Sequence, residues 1–190
     1  MGPVNHLRLV PSPPLGDTPD DACLAAFQGE LDYIYRTLSR LGAGSFDIDD
    51  LAQDLFMILR RSWSDYDRSR PLRPYLFGIA FRITAAHKRK RRREVPCGVV
   101  QLDDSAPGPD DALRSKRSHA LLLAALERIP LPRRAILIMH ELDGIPVSEV
   151  AEVFSIPLFT AYSRLRKARR ELQVAVRRLV RGGKANAPVV

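Results

Sequence analysis

Cysteine is nearly absent from this sequence: Cys23 and Cys97 are the only two, and they lie too far apart to staple a chain of 190 residues. A disulfide scaffold is excluded, and a reduced compartment is expected. Long apolar runs are missing as well. Leu121 to Leu126 and Ala135 to Met139 are among the longest, far short of the roughly 18–20 residues that cross a bilayer, so no membrane insertion is expected. The opening residues carry one arginine, several prolines and no apolar core of signal-peptide length, which leaves a cytoplasmic location as the expectation.

Signs of catalysis are equally scarce. No glycine-rich phosphate loop occurs, and neither cysteine has a companion Cys or His at metal-ligand spacing. His140-Glu141 does not continue to the second histidine that a zinc-protease helix needs, because Gly144 stands at that position. His6, His87 and His119 are isolated. The expectation is a protein with no enzymatic activity, no metal and no cofactor.

What is present is charge, unevenly spread. Hydrophobic residues make up 45% of the chain, too many for a disordered one, and the formal net charge is +8. Residues 1–93 hold 15 basic and 11 acidic residues, residues 94–113 hold five acids and no base, and residues 114–181 hold 14 basic and six acidic. The acidic stretch also contains Pro96, Gly98, Pro107, Gly108 and Pro109 with little apolar periodicity, so it reads as a flexible linker. The division that follows is a disordered leader over 1–20, a first domain over 21–94, a linker over 95–113, a second domain over 114–181 and a frayed tail over 182–190. Domains of about 70 residues bury only around 60% of their unfolded surface, so each half depends on its helix packing.

Apolar spacing predicts an all-α chain with two small helical domains. Leu31, Ile34, Tyr35, Leu38 and Leu41 recur at helical spacing, and Gly42 ends that helix. Asp47 or Asp49 is placed to cap a second helix striped by Ile48, Leu51, Leu55, Ile58 and Leu59. Asp65 to Arg70 reads as a polar loop, and Pro71 opens a third helix with Leu72, Tyr75 or Leu76, Ile79 and Ile83 inward. Beyond the linker, helices are expected over 121–129, 132–142, 147–154 and 158–180, and no strand alternation is sustained.

Three constellations could carry function. The first is C-terminal: Val147, Val150, Ala151 and Phe154 line a two-turn helix, Ser155-Ile156-Pro157 makes a tight turn, and Thr160, Ala161 and Leu165 face inward from a helix rich in arginine. A short buttress, a turn and a helix narrow enough for the major groove make a helix-turn-helix, although a solvated helix ending an ordinary bundle carries similar charge. The second is the six-base run Lys88 to Arg93, more than helix-dipole compensation needs. Phe77 and Phe81 fall opposite the apolar stripe just upstream of it. They either stack on unpaired bases or pack on the first helix. The third is an acidic face of Asp49, Asp50, Gln53 and Asp54, with Met57 continuing it, that no histidine completes into a catalytic or metal site. On a basic protein it fits a docking surface for a basic partner.

Asp49-Asp50-Leu51-Ala52-Gln53-Asp54-Leu55-Phe56, then Tyr66-Asp67, Arg70-Pro71-Leu72-Arg73-Pro74-Tyr75-Leu76, Ile79-Ala80 and the basic run resemble region 2 of the extracytoplasmic-function group of sigma-70 factors. Ala125 to Pro130, Arg133-Arg134, Gly144, Glu149-Val150-Ala151, Ile156-Pro157 and Ser163 to Arg169 resemble region 4 of the same group. The resemblance implies a transcription initiation factor whose partners are core RNA polymerase, promoter DNA and an anti-sigma factor. It implies that Asp49, Asp50, Gln53, Asp54 and Met57 bind the clamp helices of the largest polymerase subunit. It assigns the minus-ten element to Tyr66, Arg68, Arg70, Phe77, Phe81, Arg82, Lys88 and Arg89. It assigns the minus-thirty-five element to Tyr162, Ser163, Arg166 and Lys167 at base-reading positions and Arg164, Arg169 and Arg170 at phosphates. The linker would thread toward the polymerase active-site channel.

This chain departs from the family pattern at several positions. Gln53-Asp54 stands for the usual Gln-Glu, Arg82 and Ala86 lie where a polar Asn and an acid are common, and Ser155 replaces a turn glycine. Phe159 and Ala161 replace the common Gly and Val at the start of the recognition helix. The competing reading is a helix-turn-helix regulator that binds duplex DNA without polymerase. A small nucleic-acid enzyme is disfavoured by the missing catalytic groups.

Overall fold

The computed structural model describes residues 19–94 and 110–185, and every element in them is helical. α1 (Pro19–Gly29), α2 (Leu31–Leu41), α3 (Ile48–Arg61) and α4 (Leu72–Glu94) form one bundle. α5 (Asp110–Glu127), α6 (Leu131–Leu137), a π-helical turn over Ile138–Leu142, α7 (Val147–Val153) and α8 (Leu158–Ala185) form the other.

Several boundaries differ from the sequence expectation. A helix begins at Pro19 where a disordered leader was expected to run to residue 20, and the rest of that leader lies outside the described residues. α1 was not anticipated because its apolar positions, chiefly Cys23 and Phe27, make too short a pattern; Asp20 and Asp21 favour its N-terminus through the helix dipole. α5 starts at Asp110, so the last residues assigned to the linker are helical, and 95–109 lie outside the described residues. α8 reaches Ala185, into the stretch expected to fray, with 186–190 not described. The helix expected over 132–142 starts at Leu131 and widens into π geometry, with Asp143 N–H donating to Ile138 O at 3.1 Å and Ile145 N–H to Met139 O at 2.9 Å.

α2 ends on Gly42 at φ 83°, with Ala43 N–H donating to Leu38 O at 3.0 Å. This left-handed closure favours glycine, and a Cβ there would also collide with the ends of Lys88 and Arg134. Asp47, expected to cap α3, occupies the N-cap position without a side-chain capping bond. Its carboxylate instead accepts from Arg91 Nη1 at 2.9 Å and lies 3.3 Å from His87 Nε2, because the charged guanidinium at the far end of α4 outcompetes a backbone N–H. Asp49 caps nothing either; it accepts the Tyr35 hydroxyl at 2.7 Å.

One hydrophobic cluster runs through both bundles. Leu51, Ala52, Leu55 and Leu59 are its α3 members, while Ile58, assigned inward from spacing, is 38% exposed. α4 is buried by α2 and α3 on one side and by α7 on the other, so Leu76, Phe77, Ile79, Ala80 and Thr84 are all buried. Polar groups stitch the same boundary. Arg134, 4% exposed, donates to Leu41 O at 2.8 Å across the boundary, and to Glu127 O at 2.7 Å and Ile129 O at 3.1 Å within its own bundle. Burial draws its guanidinium down to a pKa of about 10, still charged at neutral pH. Asp143 accepts the Tyr33 hydroxyl at 3.0 Å and Arg40 Nη1 at 3.3 Å.

Two stability outcomes follow from this geometry. Arg134→Leu leaves three carbonyl groups without their donor and should lower unfolding free energy by about 2–4 kcal/mol, read from denaturant melts. Ser155 adopts φ 49° at the α7–α8 turn, so Ser155→Gly should raise stability by up to about 1 kcal/mol, seen as a higher Tm, and an unchanged or lower Tm would contradict the strain.

Candidate nucleic-acid interface

α7 and α8 build the helix-turn-helix from a backbone closure. Ile156 N–H donates to Ala151 O at 3.0 Å and Ser155 N–H to Glu152 O at 2.9 Å, which ends α7 and turns the chain sharply into α8. Ala161, Leu165 and Ala168 are buried against the rest of the bundle, as Val147, Val150 and Ala151 are from α7. That inner seam turns Tyr162, Ser163, Arg166, Lys167, Arg169 and Arg170 to solvent, with Arg164 half-buried at the margin. Arg169 is tied to Glu141, Nε to Oε1 at 2.7 Å.

Beside this face a cleft of about 750 Å³ is walled by Ser163, Arg166, Lys167 and Arg170 of α8, together with Arg128 and Arg178. Arg128, from the α5–α6 turn, and Arg178, further along α8, extend the basic surface past the head of α8, and neither was among the DNA-contact residues expected from the sequence. Arg133 also lines it but is held by Glu171 through two bonds of 2.8 Å, which fixes α6 to α8. A basic concavity continuous with a helix of exposed polar tips can straddle a groove and its flanking phosphates.

The polar loop before α4 is held by aromatic rings. Tyr66 stacks on Trp63 at 5.7 Å between centroids and meets Tyr75 at 4.9 Å, and its hydroxyl donates to Arg70 O. Arg68 lies over the Trp63 ring at 5.6 Å, and Asp67 accepts from Ser69 N–H at 3.0 Å. Burial and the neighbouring Asp67 raise the Tyr66 pKa, so its hydroxyl stays a donor. Arg68, Arg70, Arg82 and Arg89 are exposed, Arg70 within 3.5 Å of Glu152 on α7.

Three residues assigned to the minus-ten element are covered, wholly or in part, in this arrangement. Phe77 is fully buried and Phe81 partly so, which is the packed alternative of the two read from the sequence, and both meet Phe154 of the second bundle edge-on, at 6.3 and 4.9 Å. A helical wheel of α4 finds the face but not the occupant, which comes from the other bundle. Lys88, read as an outward member of the basic run, turns in toward Arg134 and Glu127, and burial followed by Arg134 lowers its pKa to about 8.

On α3, Asp49, Asp50, Gln53, Asp54 and Met57 all face solvent. Tyr35 and Ile58, 40% and 38% exposed, extend that face with apolar surface, although their helical spacing is that of core residues. Among the described residues no group of three or more His, Cys, Asp or Glu is placed to hold a metal ion, and no helix is long and apolar enough to cross a membrane.

Comparison with known proteins places these surfaces in context. The family model Sigma-70 region 2 matches residues 26–94, and Sigma-70, region 4 matches residues 119–172. RNA polymerase sigma factor NccH of Alcaligenes xylosoxydans xylosoxydans is 27% identical over 137 residues, 69% of this chain and 74% of that protein. ECF RNA polymerase sigma factor SigE of Mycolicibacterium smegmatis is 26% identical, over 75% of this chain and 56% of its own length. The solved structure of the sigma factor RpoE in complex with the anti-sigma factor NepR from Bartonella quintana superposes with a TM-score of 0.59 at 23% identity, covering 80% of this chain and 97% of that one.

Lys88 gives this surface a pH signature. Its amine is charged in the packed and unfolded states below pH 8, where burial penalises the packed state fully; the penalty fades as pH rises from about 8 toward the ordinary 10.5. Lys88→Met should therefore be more stable than the parent at pH 7, with the advantage shrinking between pH 8 and 10 in parallel denaturant melts. A difference independent of pH would place the amine in water.

Proposed function

The chain belongs to the extracytoplasmic-function group of the sigma-70 family, and from that premise we propose how its surfaces divide the work of promoter-specific initiation. It is an RNA polymerase sigma factor; the polymerase supplies the chemistry and this chain the recognition. The face of Asp49, Asp50, Gln53, Asp54 and Met57, widened by Tyr35 and Ile58, docks on core RNA polymerase. Carboxylates set around exposed apolar side chains suit a basic partner with an apolar centre. The ring-braced loop over 65–70, with Arg68, Arg70, Arg82 and Arg89, meets the minus-ten element. α8 presents Tyr162, Ser163, Arg166 and Lys167 to the minus-thirty-five duplex, with Arg164, Arg169 and Arg170 at phosphates. Phe77, Phe81 and Lys88 reach DNA only when the two bundles part, since α7 and α6 cover them here. The setting is the cytoplasm, where polymerase and promoter meet, and an anti-sigma protein is a further partner, as NepR is for the superposed RpoE.

The observation that carries this division is an exposed acidic face kept on α3 of a chain with net charge +8. A regulator that touches only DNA has no use for it. Asp50→Lys with Asp54→Lys leaves the fold intact, because both residues are exposed, and should weaken binding to core polymerase by roughly tenfold or more. Size-exclusion co-elution with the native core enzyme measures this. If DNA binding and polymerase binding both survive the double reversal, the polymerase surface lies elsewhere; if the parent never binds core, the sigma reading itself falls.

A further inference from the structure

The head of α8 carries apolar surface that the fold does not use. Among the described residues ten large hydrophobic side chains are exposed, and three of them, Leu158, Phe159 and Tyr162, fall within five consecutive positions. Phe159 is 84% exposed, the second residue of the helix. At 100° per residue, Ser163, Arg166 and Arg170 lie within about 40° of it, whereas buried Ala161, Leu165 and Ala168 lie opposite. Phe159 therefore heads the same outward stripe as the polar and basic side chains, and points where they point.

A groove of about 560 Å³ runs from Phe159 and Tyr162 past Arg166 and Arg169 to His140 of the π turn, and no acidic side chain lines it. His140 Nδ1 is engaged by Ile145 O at 2.9 Å, so the ring is held as part of the wall. An apolar cap on a stripe that carries Arg166 and Arg170 and no carboxylate of its own, with Glu141 on its flank already engaged by Arg169, is complementary to a major groove, in which thymine is the base that offers a methyl group. The first residues of a recognition helix are also those that reach base edges.

We propose that Phe159, supported by Tyr162, is a specificity-determining residue that packs on thymine C5-methyl groups in the major groove at one end of the upstream promoter element. The proposal rests on the reading of α8 as the duplex-binding helix, and deepens it: Ser163 and Arg166 read polar edges, and the ring selects for methyl. A sigma factor with a small residue at this position lacks that selection.

The test uses the full chain assembled with core RNA polymerase. A preferred upstream duplex is selected from a randomised library, and each thymine is then replaced in turn by deoxyuridine, which removes the methyl and keeps the pairing. The parent should lose about fourfold in affinity for each methyl that the ring covers. Phe159→Ala should bind the thymine duplex more weakly by a similar factor and treat thymine and deoxyuridine alike at those positions, while Phe159→Leu keeps part of the discrimination. The proposal is overturned if no thymine methyl matters to the parent or if the variant remains equally sensitive. It is overturned as well if Phe159→Ala loses the same factor on every duplex, or changes only the binding of a protein partner. Selection of no upstream duplex by the parent holoenzyme would remove the duplex-binding reading itself, and this proposal with it.

Discussion

The packed arrangement of the two bundles depends on a carbonyl that a helix end leaves over. The last carbonyls of α2 have no intrahelical donor, and the glycine closure at Gly42 serves only part of them. Leu41 O is served by Arg134 from α6, whose guanidinium also holds Glu127 O and Ile129 O at the α5–α6 turn. One planar fork thus joins the end of a helix in the first bundle to a corner of the second. The contact needs Gly42, since any side chain there would occupy the space of the guanidinium. A charge this deeply buried is tolerated because its donors meet oriented carbonyl dipoles, although desolvation still draws its pKa down.

With that joint made, the remaining contacts between the bundles follow. α7 comes to rest on α4, where Gly78 leaves room for Val153 and where Phe77 and Phe81 receive the edge of Phe154. Asp143 falls between Tyr33 and Arg40, and Lys88 is drawn under the same roof. α4 therefore carries two kinds of surface at once. Its arginines and the loop before it stay open to solvent, while its rings are covered. The covered surface belongs to the same helix that the family resemblance assigns to promoter opening, so in the division proposed above packing between the bundles would compete with access to DNA for one set of side chains.

The helix-turn-helix obeys a different logic, local and nearly self-contained. Its inner seam is small, with Ala161, Leu165 and Ala168 against Val147, Val150 and Ala151, so α8 packs closely and leaves a clean outer stripe. Ser155 closes the turn in a left-handed conformation that costs a non-glycine residue stability. The turn holds because Ile156 N–H and Ser155 N–H both find carbonyls at the end of α7. The stripe, freed from packing duties, carries polar, basic and aromatic side chains in one line.

Several features were decided by the order of residues alone. The all-helical class, the helix-turn-helix and the acidic face of α3 depend on short-range spacing, and local periodicity encodes them directly. The matches to regions 2 and 4 span those same segments. Other features were invisible at that range. Asp47 and Asp49 stand where caps stand, yet distant Arg91 and nearby Tyr35 take their carboxylates. Ile58 keeps the spacing of a core residue but stays 38% exposed among the described residues, whereas Phe77 looks exposed on a wheel and is met by a ring 77 positions later in the chain. Lys88 is one of six consecutive bases, and only the approach of Arg134 and Glu127 singles it out. A sequence pattern determines which face of a helix is apolar; which neighbour arrives at that face, and which charge it brings, is settled by contacts between segments far apart in the chain, and these only the tertiary structure decides.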